Sequence, residues 1–497
     1  MTTQPFRDTI AAIATPAGRG ATALLRVSGP DALPILLRIC PTLEGVPPPP
    51  RLQRLLAVRH PETGELLDRG LVSLFPAPGS YTGEDMVEIS THGGVLTPQL
   101  VLDALLAAGA RPAEPGEFTR RAYLNGKLDL LQAEAVLDLI DGRSHALHRA
   151  AVHQMERGLS RRIEELRTAI IQTEALLVYS IDFPEEDEPP VPPERIQEAA
   201  EEVVRRIDAL LATAPEGEML REGALVVLAG RPNSGKSSLF NALLGIERAI
   251  VTEIPGTTRD ALEASLTLDG YPFRLVDTAG LRETVDVVEG IGIEVAWRYL
   301  QAAQIVLFCA EAGAPLDTDE LQFLARLDSA RTVLVRTKAD AVPPSPDPSP
   351  AGGEGSTAHP ALAQASRYGR IQFPLSQNWE RGLGGEGLPE LGSEVVVSAR
   401  TGEGLPELRD RLLRLAFGGI LGEPGEAPLV TRERHARALR AAREEVALFL
   451  ASGEEGVPME LAATHLRAAA GTLEDLLGVI TPDDLLGEVF GQFCVGK

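Results

Sequence analysis

The sequence predicts a multidomain α/β protein: an α+β domain, then an all-helical domain into which a parallel-sheet domain is inserted. The 497 residues exceed what one hydrophobic core can organise. Between residues 223 and 417, apolar strand patterns alternate with helical patterns, which is typical of a parallel sheet with helices on both faces. Helical patterns flank that region, so the two flanks are expected to form one domain. The expected boundaries are 1–125 (α+β), 126–222 and 418–497 (helical), and 223–417 (inserted).

The first domain mixes short apolar runs with Gly and Pro turns. Residues 23–27 and 71–75 have the composition of strands, and residues 101–108 that of a helix. We therefore expect a compact α+β domain.

The helical segments show apolar residues at steps of three and four. Such stripes are typical of a helix face that packs into a core. The positions are Leu130, Ala133, Leu137, Ile140; Ile163, Leu166, Ile170, Thr173, Leu177; and Leu466, Ala469, Leu473, Leu476. Residues 184–193 are acidic and proline-rich, which indicates a solvated connector, and helical pattern resumes over 194–211.

The inserted domain contains five candidate strands. They are residues 225–229, 273–276, 305–309, 332–336 and 394–398. Residues 341–392 do not fit this pattern, because they are rich in Pro, Ser and Gly and poor in core residues. We expect this stretch to be a surface insertion that is largely disordered.

Composition limits the location and the partners of the protein. The chain is 44% hydrophobic, as in folded globular proteins, and no apolar run reaches the length of a membrane helix. The three cysteines cannot form a disulfide framework and lack zinc-site spacing. We expect a cytoplasmic protein with reduced thiols. The net charge of −24 excludes RNA binding by bulk attraction, so an RNA contact needs a local basic patch or a second protein.

Four motifs in order predict a guanine-nucleotide site in a P-loop GTPase domain of the Ras type. Each follows a candidate strand, so all lie at the carboxyl ends of strands, where such sheets bind ligands. The motifs are Gly230-Arg231-Pro232-Asn233-Ser234-Gly235-Lys236-Ser237, Asp277-Thr278-Ala279-Gly280, Thr337-Lys338-Ala339-Asp340 and Ser398-Ala399-Arg400.

The first two motifs predict phosphate and magnesium binding. Backbone N–H groups of the first loop would surround the phosphates, and Lys236 would reach the terminal ones. The hydroxyls of Ser237 and Thr258 would ligate magnesium, and Asp277 would hold it through water. Gly280 can donate its N–H to the third phosphate.

The last two motifs predict guanine rather than adenine. The Asp340 carboxylate can accept from the ring and exocyclic N–H groups of guanine, and Lys338 would pack along the base and the ribose. Residues 398–400 would close the pocket. Thr337 stands where asparagine is usual in this motif.

The residue after the second motif is Leu281, where many GTPases have a glutamine that orients the attacking water. Something else must place this water and stabilise the developing charge. Asn233 and residues 252–257 could supply oxygen ligands to a monovalent cation. Glu283 and Glu289 are either water-positioning carboxylates or solvated surface residues, and their pattern alone leaves both readings open.

Apart from residues 341–392, the whole chain resembles the MnmE (TrmE) family of tRNA wobble-uridine modification GTPases. The motifs that carry the resemblance are specific, and small GTPases share the nucleotide motifs but not these flanking ones. They are residues 14–20 (ATPAGRG), 25–29 (LRVSG), 81–85 (YTGED), 92–94 (HGG), 115–130 (PGEFTRRAYLNGKLDL) and 493–497 (FCVGK).

The resemblance implies a homodimer formed through N-terminal domains and potassium-stimulated GTP hydrolysis. Asn233, Thr252, Ile254 and Thr257 would surround the potassium ion, and Glu289 would be the catalytic glutamate. The full set of residues expected at the nucleotide and its metal ions is Asn233, Ser234, Gly235, Lys236, Ser237, Ser238, Thr252, Glu253, Ile254, Pro255, Gly256, Thr257, Thr258, Asp277, Thr278, Ala279, Gly280, Thr337, Lys338, Ala339, Asp340, Ser398, Ala399 and Arg400.

The resemblance also implies a one-carbon carrier, 5-formyl- or methylene-tetrahydrofolate, in the N-terminal domain. The matching residues are Arg26, Glu88 and Lys127, with Lys497 nearby. Cys494 would belong to the modification centre, brought there by a mobile tail, although a lone cysteine is more often a small buried hydrophobic residue. An FAD-dependent partner, MnmG, would complete a heterotetramer or larger complex and carry much of the tRNA binding.

The expected function is that of a GTP hydrolase in a complex that installs an aminomethyl or carboxymethylaminomethyl group at C5 of the wobble uridine. The alternative is a ribosome-assembly GTPase switch without modification chemistry, which the nucleotide motifs alone do not separate from the first. A scaffold with an inactive GTPase domain is disfavoured by the intact Lys236, Ser237, Asp277 and Thr258.

Overall fold

The computed structural model divides the chain into two compact units. One comprises Met1–Glu222 and Gly422–Lys497, and the other Gly223–Leu421. The structure describes residues 7–43, 46–142, 144–182, 191–246, 262–277, 297–341, 394–421, 430–455, 457–478 and 483–497. The predicted insertion at 341–392 and most of the connector at 184–193 lie outside these residues.

The helices and strands of the first unit come from both ends of the chain. The strands are β1 (Ile10–Ile13), β2 (Thr22–Ser28), β3 (Arg54–Arg59), β4 (Leu66–Phe75), β5 (Met86–His92) and β6 (Arg111–Pro112). The helices before the inserted unit are α1 (Ala32–Ile39), α2 (Thr97–Ala107), α3 (Glu117–Leu124), α4 (Leu130–Asp141), α5 (His145–Met155), α6 (Gly158–Asp182), α7 (Pro193–Leu211) and α8 (Ala214–Glu222).

The second unit holds the strands β7 (Ala224–Gly230), β8 (Leu262–Leu268), β9 (Tyr271–Asp277), β10 (Ile305–Glu311), β11 (Thr332–Thr337) and β12 (Glu394–Val396). Its labelled helices are α9 (Lys236–Ile246), α10 (Thr318–Leu324) and α11 (Leu405–Leu421), and residues 297–302 are also helical. The first unit then continues with α12 (Glu433–Glu454), α13 (Met459–Leu477) and α14 (Asp483–Gly491).

The N-terminal sheet has the strand order β3-β4-β5-β2-β1-β6. Its neighbouring strands run antiparallel except β1 and β6, which are parallel. Helices α1 and α2 supply Ile35, Leu36, Val101 and Leu105 to a core shared with the sheet residue Ile89. The α+β prediction for this region is confirmed: the predicted strands fall inside β2 and β4, and the predicted helix, 101–108, ends one residue beyond α2.

One core joins the helices on either side of the inserted unit. It draws Ile163, Leu166 and Ile170 from α6, and Leu466 and Leu473 from α13, into a single cluster. Burial of these side chains is the main stabilising term for such helices. The predicted core stripes are therefore confirmed, except at Ile140, which is 40% exposed on α4.

The ends of the helical segments that flank the inserted unit meet within the first unit. A Cβ atom on Gly217 of α8 would lie 2.0 Å from the carbonyl oxygen of Val430. Only a residue without a side chain lets the two backbones approach this closely. The chain thus leaves and re-enters the helical domain through neighbouring backbone segments.

The inserted sheet has the order β12-β11-β10-β7-β9-β8. Four of its pairings are parallel, as predicted, but β8 pairs antiparallel with β9. Strand β8 was not among the predicted strands. Asp269 and Gly270, with φ of 47° and 83°, form the tight turn between the two strands, and such a pair of positive φ values is the two-residue hairpin geometry. The last predicted strand, 394–398, ends at Val396.

A buried charge network joins α4 to α12. Glu134 is 2% exposed and His435 is fully buried; the Glu134 Oε2 atom lies 2.5 Å from His435 Nε2. Arg434 donates to both oxygens of Glu134, at 3.0 and 3.1 Å. One turn along α4, Arg432 donates to Asp138 at 2.5 Å.

Burial alone would raise the pKa of Glu134, but His435, Arg434 and Arg432 outweigh it and hold that pKa well below its usual range. Burial lowers the pKa of His435 despite the neighbouring carboxylate. Glu134 is therefore a charged group whose stabilisation depends on its cationic neighbours.

We expect Glu134→Gln to destabilise the helical domain by roughly 3–5 kcal/mol, because Arg434 and the buried His435 lose the carboxylate that they bind. The carboxylate's contribution should be complete above the unfolded-state pKa, 4.5, and should fall as the pH drops below it, since the unfolded chain binds the proton first. Urea unfolding at several pH values measures this. Glu198→Gln, on the exposed face of α7, is the control; equal unfolding midpoints for the two variants would contradict the prediction.

Candidate functional site

The phosphate loop lies between the end of β7 and the start of α9. Its backbone takes positive φ values at Gly230 (134°), Asn233 (63°) and Gly235 (88°). A Cβ atom on Gly230 would lie 2.3 Å from the carbonyl oxygen of Cys309, and one on Gly235 would lie 2.9 Å from Thr337 Oγ1. The loop therefore needs glycine at both positions to pack against the ends of the neighbouring strands.

Lys236, Ser237 and Asp277 converge at the carboxyl edge of the sheet. Lys236 is 5% exposed, and its Nζ donates to the carbonyl oxygens of Gly230 (3.0 Å) and Arg231 (2.6 Å). The Ser237 hydroxyl donates to Asp277 Oδ2 at 2.8 Å, and Asp277 is fully buried at the end of β9. Hydroxyl and carboxylate oxygens are the donors that Mg²⁺ prefers, so this pair fits a magnesium ion.

Asp340 faces the segment that carries the last motif. Ser398 donates to its Oδ1 at 2.7 Å, and Arg400 pairs with its Oδ2 at 2.8 Å. The hydrogen bond from Ser398, with the charge of Arg400, holds the pKa of Asp340 below its usual range. The backbone supports the same arrangement, since the N–H of Ala339 donates to the Val397 carbonyl at 3.1 Å.

Thr337 connects the base-reading motif to the phosphate loop. Its side chain is buried, and its hydroxyl donates to the Ser234 carbonyl at 2.6 Å, with the Ala310 carbonyl at 3.3 Å. Lys338 next to it has a positive φ of 56° and forms an ion pair with Glu311 at the end of β10. Glu311 was missed by the sequence analysis, although it is the only charged residue in its strand.

Of the remaining residues predicted at the nucleotide site, some lie at this sheet edge and others lie outside the described residues. Ser238 is exposed on α9 and Ala399 follows Ser398 at the same edge. Residues 252–258, 278–280 and 289, which include the proposed potassium ligands and the proposed catalytic glutamate, lie outside the described residues, as do Leu281 and Glu283. Cys309 is buried beside the loop, and burial raises the pKa of its thiol to about 12, which keeps it protonated and unreactive.

A second cluster lies on the N-terminal sheet. Arg26 on β2 and Glu88 on β5 are paired neighbours in register, and Arg26 Nε donates to Glu88 Oε1 at 2.9 Å. The Arg26 guanidinium stands 5.6 Å from the centre of the Tyr81 ring, within cation–π range. Tyr81 also shares a 2.9 Å hydrogen bond with Thr119. The sequence indicated Tyr81 only as part of the motif at residues 81–85, and its aromatic ring was the available signal.

The C-terminal segment docks against this domain. Val495 forms an antiparallel bridge with Pro115, and the N–H of Phe118 donates to the Lys497 carbonyl at 3.1 Å. Burial, with repulsion from Arg26, lowers the pKa of Lys497. The expectation of a mobile tail is therefore wrong in the structure, because backbone hydrogen bonds hold it.

The structure thus brings Arg26, Glu88 and Lys497 together, and it exposes Cys494 next to them. The reading of Cys494 as a small buried hydrophobic residue is wrong, since Cys494 is exposed whereas its neighbour Phe493 packs against Phe490 and Leu130. Lys127 stands slightly apart: it is exposed, and its Nζ donates to the Pro78 carbonyl at 3.0 Å.

Comparison with known proteins identifies the family. A model described as the MnmE helical domain matches residues 130–494, and one described as the GTP-binding protein TrmE N-terminus matches residues 9–127. Three relatives are each named tRNA modification GTPase MnmE. They come from Moorella thermoacetica (40% identical, 99% of both chains), Chloroflexus aurantiacus (40%, 99% of this chain and 100% of the relative) and Neisseria meningitidis serogroup C / serotype 2a (41%, 98% and 99%).

No helix among the described residues is both long and apolar enough to cross a membrane. The helical-domain match spans more than half of the sequence, and the three relatives align along nearly its whole length. The chain, a multidomain α/β protein with a P-loop GTPase unit, belongs to the MnmE (TrmE) family.

Proposed function

We propose that the chain is the GTP-hydrolysing subunit of a complex that modifies C5 of the wobble uridine in tRNA. The observation that carries the proposal is the convergence of the phosphate loop, Asp277 and Asp340 at one sheet edge, in a chain of this family. The direct test is to identify the modified nucleosides in tRNA from a deletion strain. Loss of an aminomethyl-type group from the wobble uridine is the expected result.

The phosphate loop and β9 would hold the triphosphate and its magnesium ion. Lys236 Nζ would exchange its two loop carbonyls for phosphate oxygens, and Ser237 and Thr258 would ligate the metal, with Asp277 acting through water. When bound, the metal neutralises charge on the phosphates. The short Ser237–Asp277 hydrogen bond supports this assignment, since both oxygens already face the same point.

Asp340 would read guanine. Its lowered pKa keeps the carboxylate charged, as an acceptor of two N–H groups must be. Ser398 and Arg400 each occupy one oxygen, and each oxygen has a second lone pair for the base. A carboxylate already fixed from behind loses little freedom when the nucleotide binds.

Thr337 would fix the base-reading loop against the phosphate loop. Asparagine usually holds this position; the Thr337 hydroxyl links the two loops by donating to the Ser234 carbonyl. The link matters because base and phosphates bind to different loops, and the distance between these loops must match one ligand.

Hydrolysis would depend on a potassium ion and on Glu289. Asn233, Thr252, Ile254 and Thr257 are the proposed potassium ligands. Asn233 lies exposed in the phosphate loop with a left-handed backbone, which aims its side chain out of the loop. Leu281 cannot orient the attacking water, so the proposal assigns that role to Glu289.

The N-terminal cluster would hold the one-carbon carrier, 5-formyl- or methylene-tetrahydrofolate. A carboxylate such as Glu88 suits the amino-pteridine edge, the Tyr81 ring offers a stacking surface, and Arg26, Lys127 and Lys497 suit an anionic glutamate tail. The 2.9 Å Arg26–Glu88 pair orients the carboxylate. Cys494, exposed beside Lys497, would belong to the modification centre.

The assembly that we propose is a cytoplasmic homodimer joined by its N-terminal domains, with the FAD-dependent partner MnmG in a larger complex. Leu55 and Leu71, opposite each other on β3 and β4, are 64% and 40% exposed. They give the dimer an apolar contact away from the core face. The division at 1–125, 126–222, 223–417 and 418–497 belongs to the same proposal.

The alternative function is a ribosome-assembly switch. It would use the same GTPase unit but would give no role to the Arg26–Glu88–Lys497 cluster. A deletion strain with unchanged tRNA nucleosides and defective ribosomal subunits would favour it.

Thr337→Val should weaken GTP binding about tenfold, because it leaves the buried Ser234 carbonyl without a donor, at about 1–2 kcal/mol. Thr337→Asn should retain affinity. Titration with a fluorescent GTP analogue measures both. Thr332→Val is the matched control, since it removes a buried hydroxyl that donates to the backbone carbonyl of Asp328 at the other end of β11. The same affinity in the Thr337→Val and Thr332→Val variants would rule out the link.

GTP turnover should be faster in potassium than in sodium, because the larger cation fits an oxygen cage built partly by Asn233. Asn233→Ala should remove most of that difference. Steady-state phosphate release in matched chloride salts is the measurement, and equal turnover of the unaltered protein in both salts would contradict the potassium assignment.

Cys494→Ser should abolish or strongly reduce tRNA modification in the presence of the partner while sparing GTP hydrolysis, since the GTPase unit does not contain the thiol. Both activities are measured on the same purified variant. Gln492→Ala, an exposed neighbour, controls for disturbance of the segment. Full modification by the Cys494→Ser variant would remove the thiol from the chemistry, and loss of both activities would indicate a packing role.

A further inference from the structure

Helix α5 presents a polar face that the nucleotide and one-carbon sites do not use. Its buried residues lie on one side: Ala146, Leu147, Ala150, Ala151 and Gln154. The opposite side carries His145, His148, Arg149 and Val152, all exposed. These positions are spaced by three and four, so they form one continuous ridge.

The local charge of this region opposes that of the whole chain. Residues 142–163 contain five arginines against one glutamate, and three of the eight histidines in the protein. The chain as a whole has a net charge of −24. A basic segment in so acidic a protein marks where a polyanion could approach, because screening limits the reach of the remaining negative charge to about 8–10 Å.

Arg149 and Arg161 differ from two of the arginines of α12. There, Arg440 pairs with Glu433 and Arg443 with Asp208, so their charges are internally compensated. Among the described residues, Arg149 on α5 and Arg161 in the first turn of α6 form no ion pair, and both are exposed. Their guanidinium groups are available to an external anion.

The position of α5 connects this ridge to the N-terminal site. Gln132 of α4 donates to the Met155 carbonyl at 2.7 Å, and Gln154 donates to the Leu131 carbonyl at 3.0 Å. The C-terminal end of α5 therefore lies at the start of α4, where Arg157 approaches Asp129 at 3.6 Å. Asp129 is two positions from Lys127. Helix α5 is about 16 Å long and ends beside the loop that carries Lys127.

We propose that the exposed ridge of α5, with Arg161, is a direct contact surface for the phosphate backbone of tRNA. Guanidinium groups bind phosphate oxygens in bidentate fashion, and imidazole N–H groups add donors. The surface rests on the proposed function, since it names where the modified substrate touches this chain. It positions the RNA without reading its sequence.

The test is Arg149→Gln with Arg161→Gln in the full-length protein, assayed with transcribed tRNA. Neutralising two phosphate contacts should weaken binding about tenfold at low salt and reduce the slope of log affinity against log salt by about 1–2. With the partner present, the KM for tRNA should rise while kcat stays unchanged. GTP hydrolysis without tRNA should not change.

Arg195→Gln with Arg437→Gln is the matched control, since both arginines are exposed on other helices of the same unit and form no ion pair among the described residues. The proposal is overturned if both double variants bind tRNA with the same affinity and salt slope. It is also overturned if the Arg149→Gln/Arg161→Gln variant binds tRNA normally but no longer binds the partner protein, because the ridge would then be a protein-docking face. Failure of the proposed function would look different: the unaltered protein and its partner would leave tRNA unmodified.

Discussion

One buried carboxylate, Glu134, holds the two halves of the helical domain in register. It lies on α4, before the inserted unit, and its partners Arg434 and His435 lie about 300 positions later, where the chain returns. Apolar packing alone would tolerate a helix that slides or rotates, because hydrophobic contacts are not directional. A carboxylate that must accept hydrogen bonds from both arms of a guanidinium group fixes the helix in one position. The N-terminal site depends on this placement, since α4 begins three positions after Lys127.

Much of the fold could be predicted because a helix or strand that buries only one face repeats its apolar residues at a regular spacing. The stripe at Ile163, Leu166 and Ile170 is fully buried. The antiparallel edge strand β8 was missed although the signal was present: residues 262–268 alternate, and Asp269-Gly270 is a hairpin dipeptide.

Some site residues could likewise be predicted from the sequence, whereas contacts between distant positions could not. Loop residues such as Lys236 and Asp277 could be placed from sequence, because their spacing from a strand fixes their position at the sheet edge. The Glu134–His435 contact could not, since a partner 301 positions away leaves no local trace. The resemblance pointed to Cys494, but its exposure could not be predicted, because residues 493–497 are too few to show a sequence period.

The approach of Gly217 to Val430 has a bearing on how such a protein arises and how it can be altered. When the chain leaves and re-enters the host domain at neighbouring backbone atoms, either an inserted domain or a short turn can connect the two points. The host core is the same in both cases. The helical domain can therefore accept an inserted domain at this point: the gene segment for the insert could be exchanged without changes in the surrounding core. By the same geometry, a linker of a few residues between the two positions would rejoin the host chain without the insert and leave its core intact, and the GTPase unit becomes an exchangeable segment.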